Sequence, residues 1–264
     1  MTLVVSLIVP DGVVLAADSL ATTTGRLNIV GQIEGKCDKC GADIKVPELK
    51  LPSIPIPSST TPFAQKVFNF KNKFGVAFWG NASVNKQTMY SQMKRLENRT
   101  KEEIDSVDDA ADTIANHFIK ELEAELGDLN KIPTDVSAFG FHVVGYESAE
   151  SIIGKVWSIR IGRTVKKESH NEFGCHVSGE RQVVSKLWKK DESIPVPRPR
   201  YGSFTLQDAI DYTDFLIKTT SDYQRFANMI PTVGGEADIA LVTHYAGFKW
   251  IRCKQLTRII EATD

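Results

Sequence analysis

The stretch that decides the fold is Met1-Thr-Leu-Val-Val-Ser-Leu-Ile-Val-Pro-Asp-Gly-Val-Val-Leu-Ala-Ala-Asp-Ser-Leu-Ala-Thr-Thr-Thr-Gly25. Two apolar runs rich in β-branched residues, Leu3 to Val9 and Val13 to Ala17, flank the turn signal Pro10-Asp11-Gly12. This pattern predicts a β-hairpin that starts almost at the first residue. Because chain ends are normally loose, we expect this one to be held in place for a reason.

The second residue is a candidate nucleophile. Thr2 follows the initiator methionine, and its small side chain permits methionine aminopeptidase to remove Met1. An N-terminal threonine carries a hydroxyl and, on the same residue, an amine with a pKa of about 8 that can act as a general base at neutral pH. The alternative is an ordinary edge hairpin whose second residue is threonine by chance.

The run Gly12-Val-Val-Leu-Ala-Ala-Asp18-Ser-Leu-Ala-Thr22 resembles the opening of proteasome β-subunits. In that family a mature N-terminal threonine precedes a G-[VI]-[VI]-x-A-x-D-S-R-A-T string at the same spacing, and the resemblance implies that Thr2 is the nucleophile. Asp18 follows five apolar residues, so its carboxylate is expected to be partly buried and to need a charged partner. The alternative for Asp18 is an ordinary turn aspartate.

The second matching string, Lys66-Val-Phe-Asn-Phe70, resembles the family's basic-[VL]-[IF]-x-[IF] motif. In the family this lysine lowers the pKa of the N-terminal amine. The resemblance implies that Lys66 does so here and pairs with Asp18. It also implies that the amide of Gly80 donates to the oxyanion of the tetrahedral intermediate. The alternative for Lys66 is a solvated strand lysine.

The string Phe173-Gly-Cys-His-Val-Ser178-Gly179 resembles the family's G-S-G turn, whose serine hydrogen-bonds the N-terminal amine. The resemblance implies this role for Ser178, although a Ser-Gly pair also serves as a plain helix cap. One segment departs from the family. Its D-x-x-S-G-G string corresponds here to Ile230-Pro-Thr-Val-Gly-Gly235, which lacks both polar side chains, and no register argument supports Asp222 or Thr232 as substitutes.

The resemblance also implies a specificity pocket formed by Ala21, Phe78 and Ala82. Phe78 matches the position that floors the family's pocket, and a phenylalanine there would leave little depth. Small or medium residues before the scissile bond are therefore expected. The alternative is that Phe78 is a simple core residue.

The rest of the chain reads as alternating blocks of strands and helices. Strands are predicted over 66–70, 74–78, 136–146, 155–161, 170–176, 237–244 and 248–252, and helices over 83–98, 106–126, 178–190 and 205–226. Segregated blocks of this kind indicate an α+β fold with helices packed on sheets. The element order resembles the four-layer αββα sandwich of the proteasome β-subunit. We expect a single domain over 1–264, interrupted at about 26–64 by an insertion or long loop.

The insertion contains Cys37-Asp-Lys-Cys40-Gly41, which has the shape of one zinc knuckle. Zinc needs four ligands, and only two are local. Four readings stay open: a structural zinc shared between two subunits, a zinc completed by histidines, a relic or redox pair, and no metal at all. The four cysteines of the chain do not form a disulfide framework.

The composition is that of an ordinary globular protein. The 264 residues are 42% hydrophobic and 25% charged, with a net charge of −1 and dispersed basic residues. This argues against binding to nucleic acid or an anionic membrane. No apolar run approaches the roughly 20 residues that span a bilayer. A cytoplasmic location is expected.

Together these features predict a threonine-type peptidase that acts through an acyl-enzyme on peptides or unfolded proteins, with no cofactor required for catalysis. Two alternatives stay open: a catalytically silent structural subunit of the same fold, and an amidase acting on a small molecule. A homo-oligomer, in a ring or stacked rings, is implied by the resemblance alone.

Overall fold

The computed structural model of the chain describes residues 2–27, 30–50, 54–134, 136–189, 199–227 and 230–254. The chain divides into two compact units. One comprises residues 1–21 and 61–264, and the other comprises residues 22–60. The larger unit carries both sheets and all four α-helices described below.

The first sheet of the larger unit is antiparallel and is built around the predicted N-terminal hairpin. Its five strands lie in the order β14 (Gly174–Gly179), β1 (Leu3–Val9), β2 (Gly12–Ala17), β15 (Asp238–Thr243) and β16 (Gly247–Arg252). Every residue of β1 and β2 is buried. Such continuous apolar runs are typical of strands covered on both faces.

The second sheet is also antiparallel and has five strands. Their order is β13 (Val165–His170), β12 (Lys155–Gly162), β11 (Ser137–Gly145), β8 (Phe74–Gly80) and β7 (Val67–Phe70). A short ribbon of β9 (Ser83–Val84) and β10 (Gln87–Thr88) follows β8. The strands predicted over 66–70 and 74–78 are confirmed as β7 and β8, and those predicted over 237–244 and 248–252 are confirmed as β15 and β16, which close the chain as a hairpin.

In the part of the chain that the structure describes, four α-helices flank the sheets: α1 (Met89–Arg99), α2 (Val107–Leu126), α3 (Gln182–Leu187) and α4 (Leu206–Phe226). Short 3₁₀ turns occur at Leu129–Lys131 and Tyr201–Ser203. The side chains of Ser106 and Thr205 cap α2 and α4 by accepting backbone N–H bonds, which fixes where these helices begin. Among the described helices, none is both long and apolar enough to cross a bilayer.

Apolar side chains form three clusters, which define how the layers pack. The first joins α1 and α2 to the second sheet, with Phe118 of α2 against Phe139 and Phe141. The second joins α3 and α4 to the first sheet. The third contains residues of both sheets, such as Val4 and Ala77, and forms the layer between them. Alternate residues of β1 belong to the second and third clusters, as the period of a strand requires.

Three sequence-based boundaries were wrong. The predicted strand over 170–176 is two strands, because the chain turns at 171–173 between β13 and β14. The helix predicted from residue 178 begins at Gln182, since β14 continues to Gly179. The helix predicted from residue 83 begins at Met89, because Asn85 and Lys86 have φ of 48° and 61° and turn the β9–β10 ribbon.

The smaller unit consists mainly of strands, where the sequence predicted a loop. Strands β3 (Ala21–Leu27) and β6 (Ile54–Thr61) pair with each other, as do β4 (Val30–Lys36) and β5 (Asp43–Lys50). Prolines within β5 and β6 masked the strand signal. Each strand of a two-stranded ladder has an unpaired edge, where a residue without an N–H is tolerated.

Phe118 provides a test of the first cluster. The Phe118→Ala substitution should lower the free energy of unfolding by about 3–5 kcal/mol, because it leaves a cavity among buried aromatic rings. The matched control is Phe215→Ala on α4, whose side chain is 51% exposed and should change stability by about 0.5 kcal/mol or less. Urea unfolding of both variants measures the difference. Equal effects would contradict the described packing.

Candidate active site

A cleft of about 460 Å³ opens where the layer between the two sheets becomes polar. Strand alternation produces it: Ser6, His176 and Ser178 of the first sheet share the face that carries Val4 and Ile8 into the layer between the sheets. The second sheet contributes further polar residues from β11, β12 and β13. The cleft is lined by Thr2, Trp79, Gly80, Ser137, His142, Ser158, Arg160, Glu168, His170, Cys175, His176, Val177, Ser178, Gly179 and Arg181.

Thr2 lines the cleft and is only 2% exposed. Its carbonyl oxygen accepts a hydrogen bond from the N–H of Glu180 (2.8 Å). Gly179 has φ of +82°, and a Cβ there would lie 1.8 Å from the same carbonyl oxygen. Only glycine therefore allows β14 to turn around Thr2.

The carboxylate of Asp18 is buried and ion-paired with Lys66, with Nζ 3.0 Å from Oδ1. The same Oδ1 accepts the N–H of Leu3 (3.0 Å). The lysine ammonium and the amide directly after Thr2 therefore share one oxygen atom. This shared acceptor holds the charge of Lys66 next to the first residues of β1.

Three further bonds complete the surroundings of the pair. Oδ2 of Asp18 accepts the N–H of Leu20 and that of Gly234, each at 3.1 Å. Nζ of Lys66 donates to the carbonyl of Leu20 (2.6 Å). Buried charges are tolerated when they are paired and hydrogen-bonded in this way.

Burial shifts the pKa values of both partners. It raises the pKa of Asp18, against the opposing effects of Lys66 and of the bound N–H groups. It lowers the pKa of Lys66, against the attraction of Asp18. A second ion pair, Asp238 with Lys254, also acts on Lys66. The charge of Lys254 lowers the pKa of Lys66, and the charge of Asp238 raises it. Lys66 therefore releases a proton more readily than an exposed lysine does.

His142 of β11 links two serines of the first sheet. Its Nε2 lies 2.9 Å from the hydroxyl oxygen of Ser178, and its Nδ1 lies 2.7 Å from that of Ser6. Burial, with smaller effects from His176 and His170, lowers the pKa of His142 to about 3. At neutral pH the ring is thus uncharged, with one N–H donor and one acceptor nitrogen.

The lining of the cleft includes two more histidines and an ion pair. His170 and His176 stack with ring centroids 3.9 Å apart, and burial followed by the charge of His170 lowers the pKa of His176 to about 4. Arg160 pairs with Glu168 (2.7 Å). Sequence reasoning missed all of these residues and His142. The sequence pattern that could have revealed them is a polar residue at alternate positions of a strand. Only the packing of the two sheets brings these residues together.

The structure brings together five predicted site residues in two groups. Thr2, Gly80 and Ser178 line the cleft, and Asp18 pairs with Lys66. Gly80 has φ of +99° and no room for a Cβ, which would lie 2.6 Å from the carbonyl oxygen of Ala138. Ser178 belongs to β14 and does not cap α3.

The three predicted pocket residues are not among those that line the cleft. Phe78 is buried in the first cluster and stacks on Phe68, with ring centroids 5.8 Å apart. This is the core position that the sequence analysis gave as its alternative. Ala82 is exposed and Ala21 is half-buried at the start of β3. The preference for small residues stays a prediction.

The segment that departs from the family motif contributes backbone groups. Gly234 donates its N–H to Asp18, and its carbonyl accepts the N–H groups of Ser19 (3.0 Å) and Leu20 (2.8 Å). The hydroxyl of Thr232 accepts a bond from Gln224 of α4 (2.8 Å). Neither Thr232 nor Asp222 lines the cleft.

Cys37 and Cys40 lie at the turn between β4 and β5. The N–H of Gly41 donates to the carbonyl of Cys37 (2.8 Å), and Gly41 has φ of +71°. The N–H groups of Lys39 and Cys40, and the Cys40 side chain, lower the pKa of the Cys37 thiol. Within the described ranges, no third His, Cys, Asp or Glu joins them in a metal-binding group. The zinc site stays a prediction.

No family model and no curated protein matches the sequence. Among solved structures, a mutant of Anbu from Hyphomicrobium sp. strain MC1 superposes with a TM-score of 0.53, covering 95% of this chain and 87% of the Anbu chain. The fold is similar to that of Anbu. It is a mixed α/β fold, in which the described strands form antiparallel sheets. Because the two sequences are 12% identical, the likeness to Anbu concerns the fold and leaves the activity open.

Removing one charge of the buried pair tests its role in stability. Lys66→Met leaves the buried carboxylate of Asp18 without its partner and should lower the free energy of unfolding by about 3–5 kcal/mol. Lys94→Met is the matched control, because Lys94 is 48% exposed and its pair with Glu97 lies on the surface. That control should change stability by less than about 1 kcal/mol in urea unfolding. Similar losses in both variants would contradict the buried geometry.

The lowered pKa values of His142 and His176 predict their behaviour in acid. NMR titration of the ring signals should show both side chains uncharged at pH 5, whereas an unperturbed histidine titrates near pH 6.5. Since the unfolded chain binds these protons first, stability should fall as pH drops from about 6.5 towards the folded-state values. Ring signals that titrate close to pH 6.5 would show that the two rings are not buried as described.

Proposed function

We propose that the protein is a proteasome-like N-terminal nucleophile hydrolase that cleaves peptide bonds, with Thr2 exposed by removal of Met1. One observation carries the proposal: the buried Lys66 ammonium and the N–H of Leu3 share an oxygen of Asp18. Lys66, whose pKa is lowered by burial, thereby holds its positive charge close to Thr2, which is buried and lines the cleft. Such a charge would favour the neutral form of an adjacent amine.

We also infer a four-layer αββα architecture for the larger unit. The three apolar clusters support it, since they join a helix pair to a sheet, the two sheets to each other, and the second helix pair to the other sheet. The likeness to Anbu supports the same assignment. In this architecture the edge between the two sheets is where the cleft opens.

The reaction would proceed in two stages. The Thr2 hydroxyl oxygen attacks the substrate carbonyl while its proton passes to the Thr2 amine, and the Gly80 amide donates to the resulting oxyanion. The intermediate collapses, the carbon–nitrogen bond breaks, and the departing amine takes the proton. Water then attacks the ester of Thr2, transfers a proton to the same amine, and releases the acid and the free hydroxyl.

The remaining predicted residues act on this amine and on each other. Lys66 lowers the pKa of the amine by its charge, and Asp18 fixes Lys66 through the bond of 3.0 Å. Ser178 would hydrogen-bond the amine from the cleft wall. The backbone of Gly234 supports Asp18 where the family's polar side chains are missing.

A second candidate is an amidase that acts on a small molecule. The cleft of about 460 Å³ lies within the range of small-ligand pockets, and Arg160 with Glu168 on its wall would orient a polar group. A peptide or unfolded protein remains the first choice of substrate. The proposal has three further parts. The predicted family implies a homo-oligomeric ring and a cytoplasmic location, and the Cys37–Cys40 motif implies a structural zinc.

A peptide epoxyketone tests the proposed function, because it reacts with a hydroxyl and the neighbouring amine together. Intact mass should show loss of Met1 and addition of one probe, and peptide mapping should locate the probe on Thr2. Thr2→Ala should abolish labelling and reduce peptide hydrolysis at least about 10³-fold, whereas Thr2→Ser, the matched control, keeps a nucleophile and should retain labelling.

Two outcomes separate the alternatives. Retained Met1 without labelling would indicate the silent structural subunit. Labelling of Thr2 together with no hydrolysis of a mixed peptide library would indicate the small-molecule amidase.

A further inference from the structure

His142 occupies an unusual position for a polar ring. It projects from the middle of β11 into the layer between the sheets, with the apolar residues Ala77 and Val144 next to it in that layer. Its side chain is almost fully buried and meets the indole of Trp79 edge-on, with ring centroids 5.2 Å apart. Placing an imidazole there is unfavourable unless both ring nitrogens are hydrogen-bonded.

Both nitrogens are bonded to serines of the other sheet. Nδ1 meets the hydroxyl of Ser6, which is fully buried, and Nε2 meets the hydroxyl of Ser178. The distances are 2.7 Å and 2.9 Å. His142 thus ties β11 to both β1 and β14 at the point where the cleft begins.

A neutral imidazole has two ways to make these bonds. If Nε2 donates to Ser178, the hydroxyl proton of Ser178 is free to point at the Thr2 amine. It would then occupy the lone pair of the amine, which must accept the proton of the Thr2 hydroxyl. If Nδ1 donates to Ser6, Nε2 accepts the proton of Ser178, and the serine oxygen can accept an N–H of the amine. Only the second arrangement leaves the amine able to act as a base.

We propose that His142 is a positioning residue which, as the Nδ1–H tautomer, directs the Ser178 hydroxyl proton away from Thr2. This inference rests on the proposed function of Thr2. His142 thereby supports the site with a polar side chain from the second sheet, whereas segment 230–235 lacks the polar side chains of the family motif. Ser178 directly precedes Gly179, whose backbone lies against the carbonyl of Thr2, so a change in the Ser178 hydroxyl acts beside the nucleophile.

Three substitutions at His142 separate the two hydrogen bonds. Gln can place an acceptor near the Nε2 position and keep the bond to Ser178, Asn can keep only the bond to Ser6, and Phe keeps neither but fills the space. Peptide hydrolysis by His142→Gln should keep kcat within about threefold of wild type. His142→Asn and His142→Phe should lower kcat about 10- to 100-fold, with KM changed less than about twofold.

A double-mutant cycle and a control complete the kinetic test. His142→Phe should have little further effect in a Ser178→Ala background, because both changes remove the same bond. His117→Phe is the matched control, since His117 lies on α2 and bonds to Gln92 outside the cleft. Wild-type kcat in His142→Phe, or equal losses in the Gln and Asn variants, would overturn the proposal. If the Phe variant does not fold, the comparison of Gln with Asn decides.

A spectroscopic readout does not depend on turnover. Two-dimensional ¹⁵N–¹H spectra of histidine-labelled protein should show His142 with a protonated Nδ1 and an unprotonated Nε2, and Ser178→Ala should shift the Nε2 signal. A protonated Nε2 would overturn the proposal. If the wild-type protein fails to label with the epoxyketone, the proposed function fails, and the tautomer still decides how Ser178 is oriented.

Discussion

The ion pair of Asp18 and Lys66 is the interaction on which the rest of the site depends. Two charges removed from water are stable only if their hydrogen-bonding capacity is satisfied, and the bonds to Leu3, Leu20 and Gly234 do this. These bonds tie together the start of β1, the end of β2 and the segment before β15. The same burial that makes the pair costly shifts the pKa values of both side chains.

The position of the cleft follows from how the two sheets pack. The layer between them is apolar where Val4, Ile8 and Ala77 meet, and it becomes polar where Ser6, Ser178 and His142 replace apolar residues on the same faces. Strand alternation aims these side chains inward, and the opposite faces keep their apolar residues against the helices. A polar site is therefore built without interrupting either of the outer cores.

The likeness to Anbu at 12% identity shows how loosely such a fold constrains individual side chains. Glycine occupies positions 179 and 80 because no other residue fits their φ angles and close contacts. Here a backbone N–H of Gly234 reaches Asp18 where the family motif has polar side chains.

The sequence by itself determined the N-terminal hairpin, the two long helices α2 and α4, and the closing hairpin, because apolar periodicity and capping residues act locally. It also singled out Asp18, since a carboxylate after five apolar residues needs a partner, and the family motif pointed to Lys66. The strands of residues 22–60 were hidden by prolines whose tolerance depends on an unpaired strand edge. The link from Ser6 through His142 to Ser178 was decided only by tertiary structure, because it joins residues up to 172 positions apart across two sheets. No local pattern encodes the distance between two sheets.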